Sequence, residues 1–324
     1  MTESESPSKS DREATIGVAQ AIGAYLWWGF ITGLYFKALD SVSSLELLAW
    51  RVLAGLPVML ILIALPPGFR RLRPALSDRR KIGIQVISTL LIAGNWLVFI
   101  YAVVSSRLVE ASLGYYINPL VSVLLGRIFL NERLRPLQKT AVFLASTGVV
   151  IFAWSKIGDL SAGIQSSSGQ GIDWLRLPWI SLALPISFGC YGLLRKRMKA
   201  DSTTGLTVEM LFLFPFMLAL QIWLMSTDQA SFMQGDVKLD ALLIAGGVVT
   251  ALPLVLFAAA ARRLRLATLG QLQYLAPTCQ LLLAVFWFGE SVEPLGIVAF
   301  IVIWIAVGLY SFDSIRENRA PETG

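Results

Sequence analysis

The sequence contains no histidine and only two cysteines, and these shortages exclude several kinds of chemistry. Without histidine, imidazole-based metal centres, Ser-His catalysis and histidine proton relays are excluded. Cys190 and Cys279 both lie within apolar runs, which favours ordinary packing over a disulfide or a metal site. The phosphate-binding motif G-x-x-x-x-G-K-[ST] is also absent, so ATP would have to be bound by another chain. We therefore expect no catalytic residue, no metal and no cofactor.

Charged residues are scarce as well, at 15% of the chain against 56% apolar residues, and the mean hydropathy is +0.67. A soluble domain carries about 25% charged residues, so this chain has too few to cover a water-facing surface. Ten apolar runs approach the ~20 residues that span a bilayer as a helix, and the alternation typical of a membrane barrel is missing. The sequence therefore predicts an all-α polytopic membrane protein with ten transmembrane helices. The runs cover about 14–36, 45–65, 82–104, 108–130, 137–155, 177–194, 204–225, 239–261, 266–289 and 293–312.

The positions of the basic residues predict the orientation of the chain. With both termini in the cytoplasm, 20 of the 27 Lys and Arg residues fall on the cytoplasmic side and 5 on the opposite side. The net charge of +6 follows from this distribution and gives no reason to expect a nucleic-acid partner. The first apolar run is too long for a signal-peptide core and lacks a small-residue cleavage site, so we expect it to be retained as a span.

Two segments of the chain share one pattern. The segments 107–136 and 263–294 both contain R-L-x-x-A-[ST]-L-G, then a proline, a Glu thirteen residues after it and another proline four residues further on. The string LLIAG also occurs twice, at 90–94 and 242–246. Matching frames in both halves indicate an internal duplication. Each half then has five spans, and because five is odd, the second copy enters the membrane from the opposite face.

This duplication defines the predicted domains and suggests a mechanism. Two inverted five-helix repeats supply two equivalent conformations, and rocking one half against the other would expose a central site to each side in turn. The pattern therefore favours a carrier that works by alternating access. We predict a disordered cytoplasmic tail at 1–13, a first repeat at 14–155, a linker loop at 156–176, a second repeat at 177–312 and a cytoplasmic tail at 313–324.

The two prolines at the centres of the repeated segments, Pro119 and Pro277, predict helix breaks beside a site. A proline donates no hydrogen bond, so these two would free the carbonyls of Tyr115 and Gln273, which must then face protein or a wet cavity. Polar residues recur on one face of each helix at spacings of 3, 3 and 4. They are Ser112, Tyr115, Asn118 and Ser122 in the first copy and Thr268, Gln271, Tyr274 and Thr278 in the second.

Two facing polar stripes would form a neutral, hydrogen-bonding cavity; the alternative is that they only hold neighbouring helices together. Asn95 and Trp96 add polar and aromatic groups from the third run. Trp28 and Tyr191 stand beside glycines in the first and sixth runs, where they could form aromatic walls or simply pack. The predicted substrate cavity therefore comprises Trp28, Asn95, Trp96, Tyr115, Asn118, Ser122, Tyr191, Gln271, Gln273 and Tyr274.

Four charged residues, Glu46, Arg51, Glu110 and Glu209, are candidates for coupling or gating. Glu46 and Glu209 lie near the ends of their spans, where snorkelling or capping explains them equally well. Arg51 lies deeper, about 140° around the helix from Glu46, so we expect its partner on another helix or in a cavity. Glu110 stands at the outer mouth of the fourth span. Any coupling to H+ would require one of the acids, whereas a neutral cavity would equally suit an uncoupled facilitator.

Several strings resemble a known family. GNWLVFIYAV at 94–103, EASLGYYINPL at 110–120, YGLLRK at 191–196 and RLRLATLG at 263–270 are similar to signatures of RarD-type permeases. These permeases belong to the EamA branch of the drug/metabolite transporter (DMT) superfamily. The resemblance covers residues 14–312 and implies ten helices, two EamA repeats and a bacterial inner-membrane location. It also implies export of metabolites, amino acids or drugs.

We therefore predict a secondary transporter whose partners are a small-molecule substrate, the lipid bilayer and, as a candidate coupling ion, H+. The alternative is a non-transporting membrane sensor or assembly subunit, although no large soluble domain or output module is evident. An embedded enzyme would need acids, bases or metal ligands that converge at one depth, and the Glu residues are scattered instead. The sequence leaves the substrate and the oligomeric state open.

Overall fold

Helices account for nearly all of the chain that the structure describes. The computed structural model describes residues 9–64, 68–72, 79–129, 135–166, 179–198, 202–261, 263–264, 269 and 272–319. A short π-helical turn, Trp27–Ile31, joins the first two helices, and another, Leu283–Trp287, extends the eleventh. In chain order the helices are α1 (Lys9–Leu26), α2 (Thr32–Lys37), α3 (Ser44–Leu53), α4 (Gly55–Ala64), α5 (Arg79–Val104), α6 (Leu108–Phe129), α7 (Pro136–Ser166), α8 (Ile180–Met198), α9 (Ser202–Ser226), α10 (Val237–Ala261), α11 (Leu275–Leu282) and α12 (Pro294–Arg319).

Within the described residues, seven helical stretches are long and apolar enough to cross a membrane. They are Glu13–Lys37, Ser44–Ala64, Lys81–Val104, Pro136–Ser155, Thr203–Ser226, Val237–Phe257 and Pro294–Asp313. Two shorter apolar helices cover Ile180–Arg195 and Leu275–Trp287, and α6 is a helix of 22 residues. The all-helical fold is thus confirmed, while the count of ten spans stays a prediction.

The second predicted span is divided at Ala54 into α3 and α4. Pro57, in the first turn of α4, accounts for the division, because in a continuous helix it would clash with the carbonyl of Leu53 and could donate no hydrogen bond to it. At the other end, Ser43 caps α3, since its hydroxyl accepts a hydrogen bond from the backbone N–H of Glu46 (3.2 Å).

Three helices extend into segments that the sequence predicted to be tails or a linker. α1 begins at Lys9, inside the tail predicted at 1–13, and α12 continues to Arg319. α7 runs to Ser166, into the linker predicted at 156–176, because no proline between residues 137 and 177 stops it. Residues 1–8, 167–176 and 320–324 lie outside the described part of the chain.

The helices of the two halves pack in pairs that correspond. α1 contacts α10 and α11 of the second half. The counterpart of α1 in the second half is α8, and it contacts α5 and α6, which are the counterparts of α10 and α11. Likewise α3 and α4 contact α10, and α9 contacts α5. Three further contacts, α3–α9, α6–α11 and α7–α12, each join a helix to its own counterpart in the other half. This pattern is the one expected of two related halves around a pseudo-two-fold axis.

The repeated segments begin at opposite ends of the bundle. At the start of the first span, Glu13 forms an ion pair with Arg263 (2.9 Å). At its other end, Lys37 donates a hydrogen bond to Ser106, the neighbour of Arg107 (3.2 Å). The span Glu13–Lys37 has 25 residues, or about 36 Å of helix at 1.5 Å per residue. Arg107 and Arg263 are therefore separated by roughly the thickness of a bilayer.

The outer surface of the bundle is apolar. Large side chains such as Phe143, Trp154 and Phe216 are 70%, 68% and 69% exposed. In water such a surface would be unfavourable, whereas in a bilayer these side chains meet lipid and the helices satisfy their own backbone groups.

Candidate functional site

A cavity of about 440 Å³ lies within the bundle and is lined by residues of both halves. Its volume falls within the range of about 300–1,000 Å³ that is typical of small-molecule sites. Aromatic rings form much of the wall and polar side chains interrupt it. The aromatic residues are Tyr25, Trp28, Trp96, Phe99, Tyr115, Phe188, Tyr191 and Phe257; the polar and charged ones are Thr32, Arg51, Asn95, Asn118, Arg195, Thr203, Gln273 and Gln280.

The cavity extends from the middle of the bundle to Arg195 and Thr203. These two residues lie near the end of α8 and the start of α9, at the same end of the bundle as Arg263. A separate, more open cleft of about 690 Å³ lies at the other end and is lined by Arg107, Glu110 and Glu290. The central cavity therefore lies closer to the Arg195 end of the bundle than to the Arg107 end.

Most of the predicted cavity residues come together here. Trp28, Asn95, Trp96, Tyr115, Asn118, Tyr191 and Gln273 all line the cavity, as does Pro277. Asn118 is 2% exposed and its Oδ1 has no hydrogen-bond partner within the described structure. Gln271 and the side chains of Ser122 and Pro119 lie outside the described residues.

Tyr274 does not line the cavity but packs at the interface between α6 and α11. Its ring stacks on that of Tyr116 at 6.5 Å between centroids, and the hydroxyls of Tyr116 and Thr278 are 2.7 Å apart. This part of the second polar stripe therefore holds two helices together, as the alternative interpretation had it. The residue that reaches the cavity is Gln273, which immediately precedes Tyr274 in the chain.

Gln280, which the sequence analysis did not single out, lies on α11 and lines the cavity together with Gln273, which precedes that helix. Seven residues separate the two, about two helical turns, so the spacing could have indicated it. The side chain is 3% exposed and its Oε1 has no partner among the described atoms. Asn95 differs, because its amide donates to the carbonyl of Leu184 (2.9 Å) and the hydroxyl of Ser187 (3.0 Å) and so holds α5 against α8.

The expectation of a neutral cavity is wrong, because Arg51 lines it. The side chain is 8% exposed, and its guanidinium carbon lies 4.3 Å from the ring centroid of Trp96 and 5.8 Å from that of Phe36. Among the described ion pairs there is none between Arg51 and Glu46, and Arg51 lines the cavity, one of the two places in which the sequence analysis expected its partner. The division of the second span at Ala54 places it in the last turn of α3.

Glu209, on α9, is fully buried beside the cavity. It accepts hydrogen bonds from the hydroxyls of Ser88 (2.7 Å) and Tyr191 (3.2 Å), and Arg195 lies 3.9 Å away. The Arg195 guanidinium occupies the space that a side chain at Gly205, one turn before Glu209, would fill. Of the three candidate acids, Glu209 is the one whose carboxylate contacts cavity-lining residues, Tyr191 and Arg195.

Glu46 is also fully buried, but away from the cavity. Its carboxylate accepts hydrogen bonds from the backbone N–H groups of Ser231 (2.9 Å) and Phe232 (3.2 Å) and from the amide of Gln221 (3.2 Å). The Phe232 ring packs against that of Trp50 in a tilted arrangement, with 4.2 Å between the centroids. Glu46 therefore fixes the loop between α9 and α10 to the start of α3.

Glu110 forms a two-pronged ion pair with Arg107, with both N–O distances at 2.8 Å. In the neighbouring turn, the carboxylate of Glu290 accepts the backbone N–H groups of Leu108 and Val109, each at 2.8 Å. These groups are among the four that a helix leaves unsatisfied at its start, so Glu290 caps α6. Both acids thus stabilise the Arg107 end of the bundle.

The two prolines differ in their surroundings. α6 runs through Pro119 without interruption, so a helix break is absent there. Pro277 lies in the first turn of α11, where a missing N–H costs nothing, and the carbonyl of Gln273 accepts the N–H of Ala276 (3.2 Å). The prediction that Pro277 frees this carbonyl is therefore wrong, because the helix begins only two residues before the proline.

A bundle of apolar helices with a small-molecule cavity between two corresponding halves is the architecture of a membrane transporter. The chain belongs to the EamA-like transporter family, whose model matches residues 15–154 and 177–312. It is accordingly a multi-pass membrane transporter that acts on a small molecule, and not an enzyme.

Named relatives agree with this assignment. An "uncharacterized transporter" of Vibrio cholerae serotype O1 is 40% identical, over 95% of this chain and 96% of that protein. Protein RarD of Escherichia coli K12 is 39% identical over 94% and 96%, and the chloramphenicol-sensitive protein RarD of Pseudomonas aeruginosa is 31% identical over 94% and 96%. These matches identify the chain as a RarD-type permease. A solved crystal structure covers 95% of this chain and 99% of its own at a TM-score of 0.58 and 19% identity, which indicates a shared fold.

Proposed function

We propose that this protein is a secondary transporter that exports a small organic metabolite or drug-like solute across the bacterial inner membrane by alternating access. The observation that carries the proposal is the cavity of about 440 Å³ between two halves whose helix contacts correspond on exchange. Two inverted halves have two conformations of similar energy, in which the cavity opens to one side or to the other.

The placement of the repeated segments supports inverted repeats. Arg107 and Arg263 occupy the same position in the shared pattern and lie at opposite ends of the span Glu13–Lys37. A duplication with both copies in the same orientation would bring them to the same end.

The cavity extends in the direction from which an exporter would load its cargo. It reaches Arg195 and Thr203, at the end of the bundle where the basic loops are concentrated. The distribution of basic residues assigns that end, and both termini, to the cytoplasm. A solute would therefore enter from the cytoplasm in the conformation described here.

A proton is the coupling ion we propose, with Glu209 as the group that carries it. Its carboxylate is buried, contacts the cavity residue Tyr191 and lies close to Arg195, so a change in its protonation would alter the cavity itself. Buried acids inside a membrane are costly and are commonly found in proton pathways. Glu46 and Glu110 are bound to structural partners instead.

Entrance counterflow in proteoliposomes tests the transport proposal directly. Vesicles that contain the purified protein are loaded with an unlabelled metabolite, and uptake of the same labelled solute is then followed without any ion gradient. The panel includes organic acids, amino acids and chloramphenicol, the drug in the name of the Pseudomonas relative. We expect transient accumulation of at least one solute in protein-containing vesicles and none in empty ones. Accumulation of no solute, with the protein shown to be folded and inserted, would contradict the proposal.

A further inference from the structure

Arg51 is a buried charge that no acidic side chain neutralises within the described structure. It is 8% exposed, its Nε has no hydrogen-bond partner, and the ion pairs found among the described residues do not include it. Its close neighbours are aromatic, with Trp96 at 4.3 Å and Phe36 at 5.8 Å from the guanidinium carbon. The charge therefore faces the cavity without a counter-ion.

Such an arrangement is costly unless something else supplies the negative charge. A charged side chain inside a membrane is unfavourable, and ring faces compensate for only part of the hydration that a guanidinium loses. Intramembrane arginines usually face the bundle interior or a cavity, where they pair with an acid or a backbone carbonyl or mark the path of a substrate. The counter-ion of Arg51 is therefore to be sought in the cavity.

The other charged residue of the cavity wall is already engaged. Arg195 lies 3.9 Å from the carboxylate of Glu209, so these two charges largely cancel. When Glu209 is ionised, the described wall thus carries one uncompensated positive charge, which suits one negative charge on a ligand. A cation would be repelled, a neutral ligand would leave Arg51 unpaired, and a dianion would lack a second partner.

Two further groups in the wall also lack partners. The Oδ1 atom of Asn118 and the Oε1 atom of Gln280 are buried without a hydrogen bond in the described structure, and both residues line the cavity. Most buried polar atoms in proteins are paired, so these amides are available to a ligand that carries a hydroxyl or N–H group. Around them the wall is largely aromatic, which suits a planar, apolar body.

We infer that the cargo is an organic monoanion whose carboxylate pairs with the Arg51 guanidinium and whose apolar body packs between the aromatic walls. The guanidinium is planar and presents parallel N–H groups that match a carboxylate in a two-pronged contact. The guanidinium carbon lies 4.3 Å from the ring centroid of Trp96, and a guanidinium that lies over a ring still has its N–H edge available to a carboxylate. This inference names the substrate class of the proposed transporter and so rests on that function.

Matched acids and amides test the inference with binding alone. Benzoate, phenylacetate and cinnamate are compared with benzamide, phenylacetamide and cinnamamide, which have nearly the same shapes without the charge. Binding to the purified protein is measured by calorimetry and by the shift of the thermal transition. We expect at least one acid to bind and its amide to bind at least about tenfold more weakly, because a hydrogen-bonded charge pair is lost. Equal binding of acids and amides, or of no acid, would overturn the inference.

Variants of Arg51 supply the second part of the test. Arg51→Gln should weaken binding of the acid at least about tenfold and leave the weak binding of the amide unchanged. Arg51→Lys, which keeps the charge but not the planar fork, should fall in between. Lys139→Gln, which removes an exposed positive charge from α7, is the matched control and should bind like the unmodified protein. Unchanged acid binding by a folded Arg51→Gln protein would also overturn the inference.

Counterflow with the same probes separates this inference from the proposed function. An acid that binds through Arg51 but is not carried would contradict transport and leave the binding site in place. Solutes that are carried equally well by the unmodified protein and by Arg51→Gln would support transport and contradict the role of Arg51.

Discussion

At the scale of single residues, Glu209 and Arg51 differ in the way their charges are balanced. The carboxylate of Glu209 is shared between Ser88, Tyr191 and Arg195, so each change in its protonation alters contacts that reach the cavity wall. Among the described residues, Arg51 has aromatic neighbours and no acid beside it. The charge of Glu209 is therefore balanced by protein partners, whereas that of Arg51 has no balancing charge within the described structure.

Glu209→Gln should uncouple transport from the proton gradient. Glutamine can still bond with Ser88 and Tyr191, but it cannot release a proton. We expect accumulation driven by a pH gradient across proteoliposomes to be lost, while counterflow stays within about twofold of the unmodified rate, since binding is retained. Glu46→Gln and Glu110→Gln serve as controls and should keep gradient-driven accumulation. If Glu209→Gln kept gradient-driven accumulation and one of the two controls lost it, the coupling site would be assigned to the residue changed in that control.

Asn118→Leu and Gln273→Leu should reduce counterflow. Both side chains line the cavity, and leucine removes a hydrogen-bonding group worth about 1–3 kcal/mol when it is buried, which corresponds to a loss of affinity of about 5- to 150-fold. Ser146→Leu makes the same kind of change on the exposed face of α7 and should transport normally. Measured insertion into the membrane must be equal for all three. Normal counterflow by both cavity variants would mean that these amides do not contact the cargo.

The sequence predicts these residues well where a pattern repeats and poorly where packing decides. Asn118 could be predicted because it lies on the polar face of a duplicated helix, whereas Gln273 was named for its place four residues before Pro277 and lies one position from the predicted face. Arg51 was recognised as unusual from its depth, but its place in the cavity depends on the break at Ala54 and on the ring of Trp96. Tyr274 was assigned to the cavity because periodicity cannot say which neighbour a face meets, and the structure turns it towards Tyr116.

At the scale of helices, close backbone contact fixes how the two halves meet. At Gly247 of α10, a Cβ atom would collide with the carbonyl oxygen of Ala54 and come within 3.1 Å of the Ala54 Cβ. The contact falls where α3 ends and α4 begins, so α10 packs directly against the break in the second span. The boundaries of α3 and α4 follow from Pro57, but this contact between distant segments could not be read from the sequence.

Gly247→Ala should therefore destabilise the protein. Overpacking of this kind costs about 1–3 kcal/mol, because neither backbone can give way freely. Gly94→Ala is the matched control, since a Cβ atom there meets nothing within 4 Å and alanine favours helices. Thermal unfolding of the detergent-solubilised proteins would compare them. Equal transition temperatures for the two variants would show that the α10–α3 contact is looser than described.

At the scale of the whole molecule, the opposite placement of the two repeated segments has a direct consequence for labelling. Ser106→Cys and Arg263→Cys, each in a background without Cys190 and Cys279, would report the two ends of the bundle. We expect a membrane-impermeant maleimide to label Ser106→Cys in intact cells and Arg263→Cys only after the membrane is opened. Labelling of both from the same side would contradict the inverted arrangement and the alternating-access proposal with it.

The unpaired charge of Arg51 also bears on energetics across the bilayer. Over a complete cycle the carrier's own groups return to where they began, so the net charge moved is that of the cargo and of any coupled ion. In a bacterium the cytoplasm is electrically negative, and each negative charge that leaves gains about 2.3 kcal/mol per 100 mV. A monoanion held by Arg51 would thus be drawn outward by the membrane voltage itself. Uniport and exchange with a proton move different net charges in each cycle, so an imposed potassium diffusion potential would accelerate efflux to different extents in the two mechanisms.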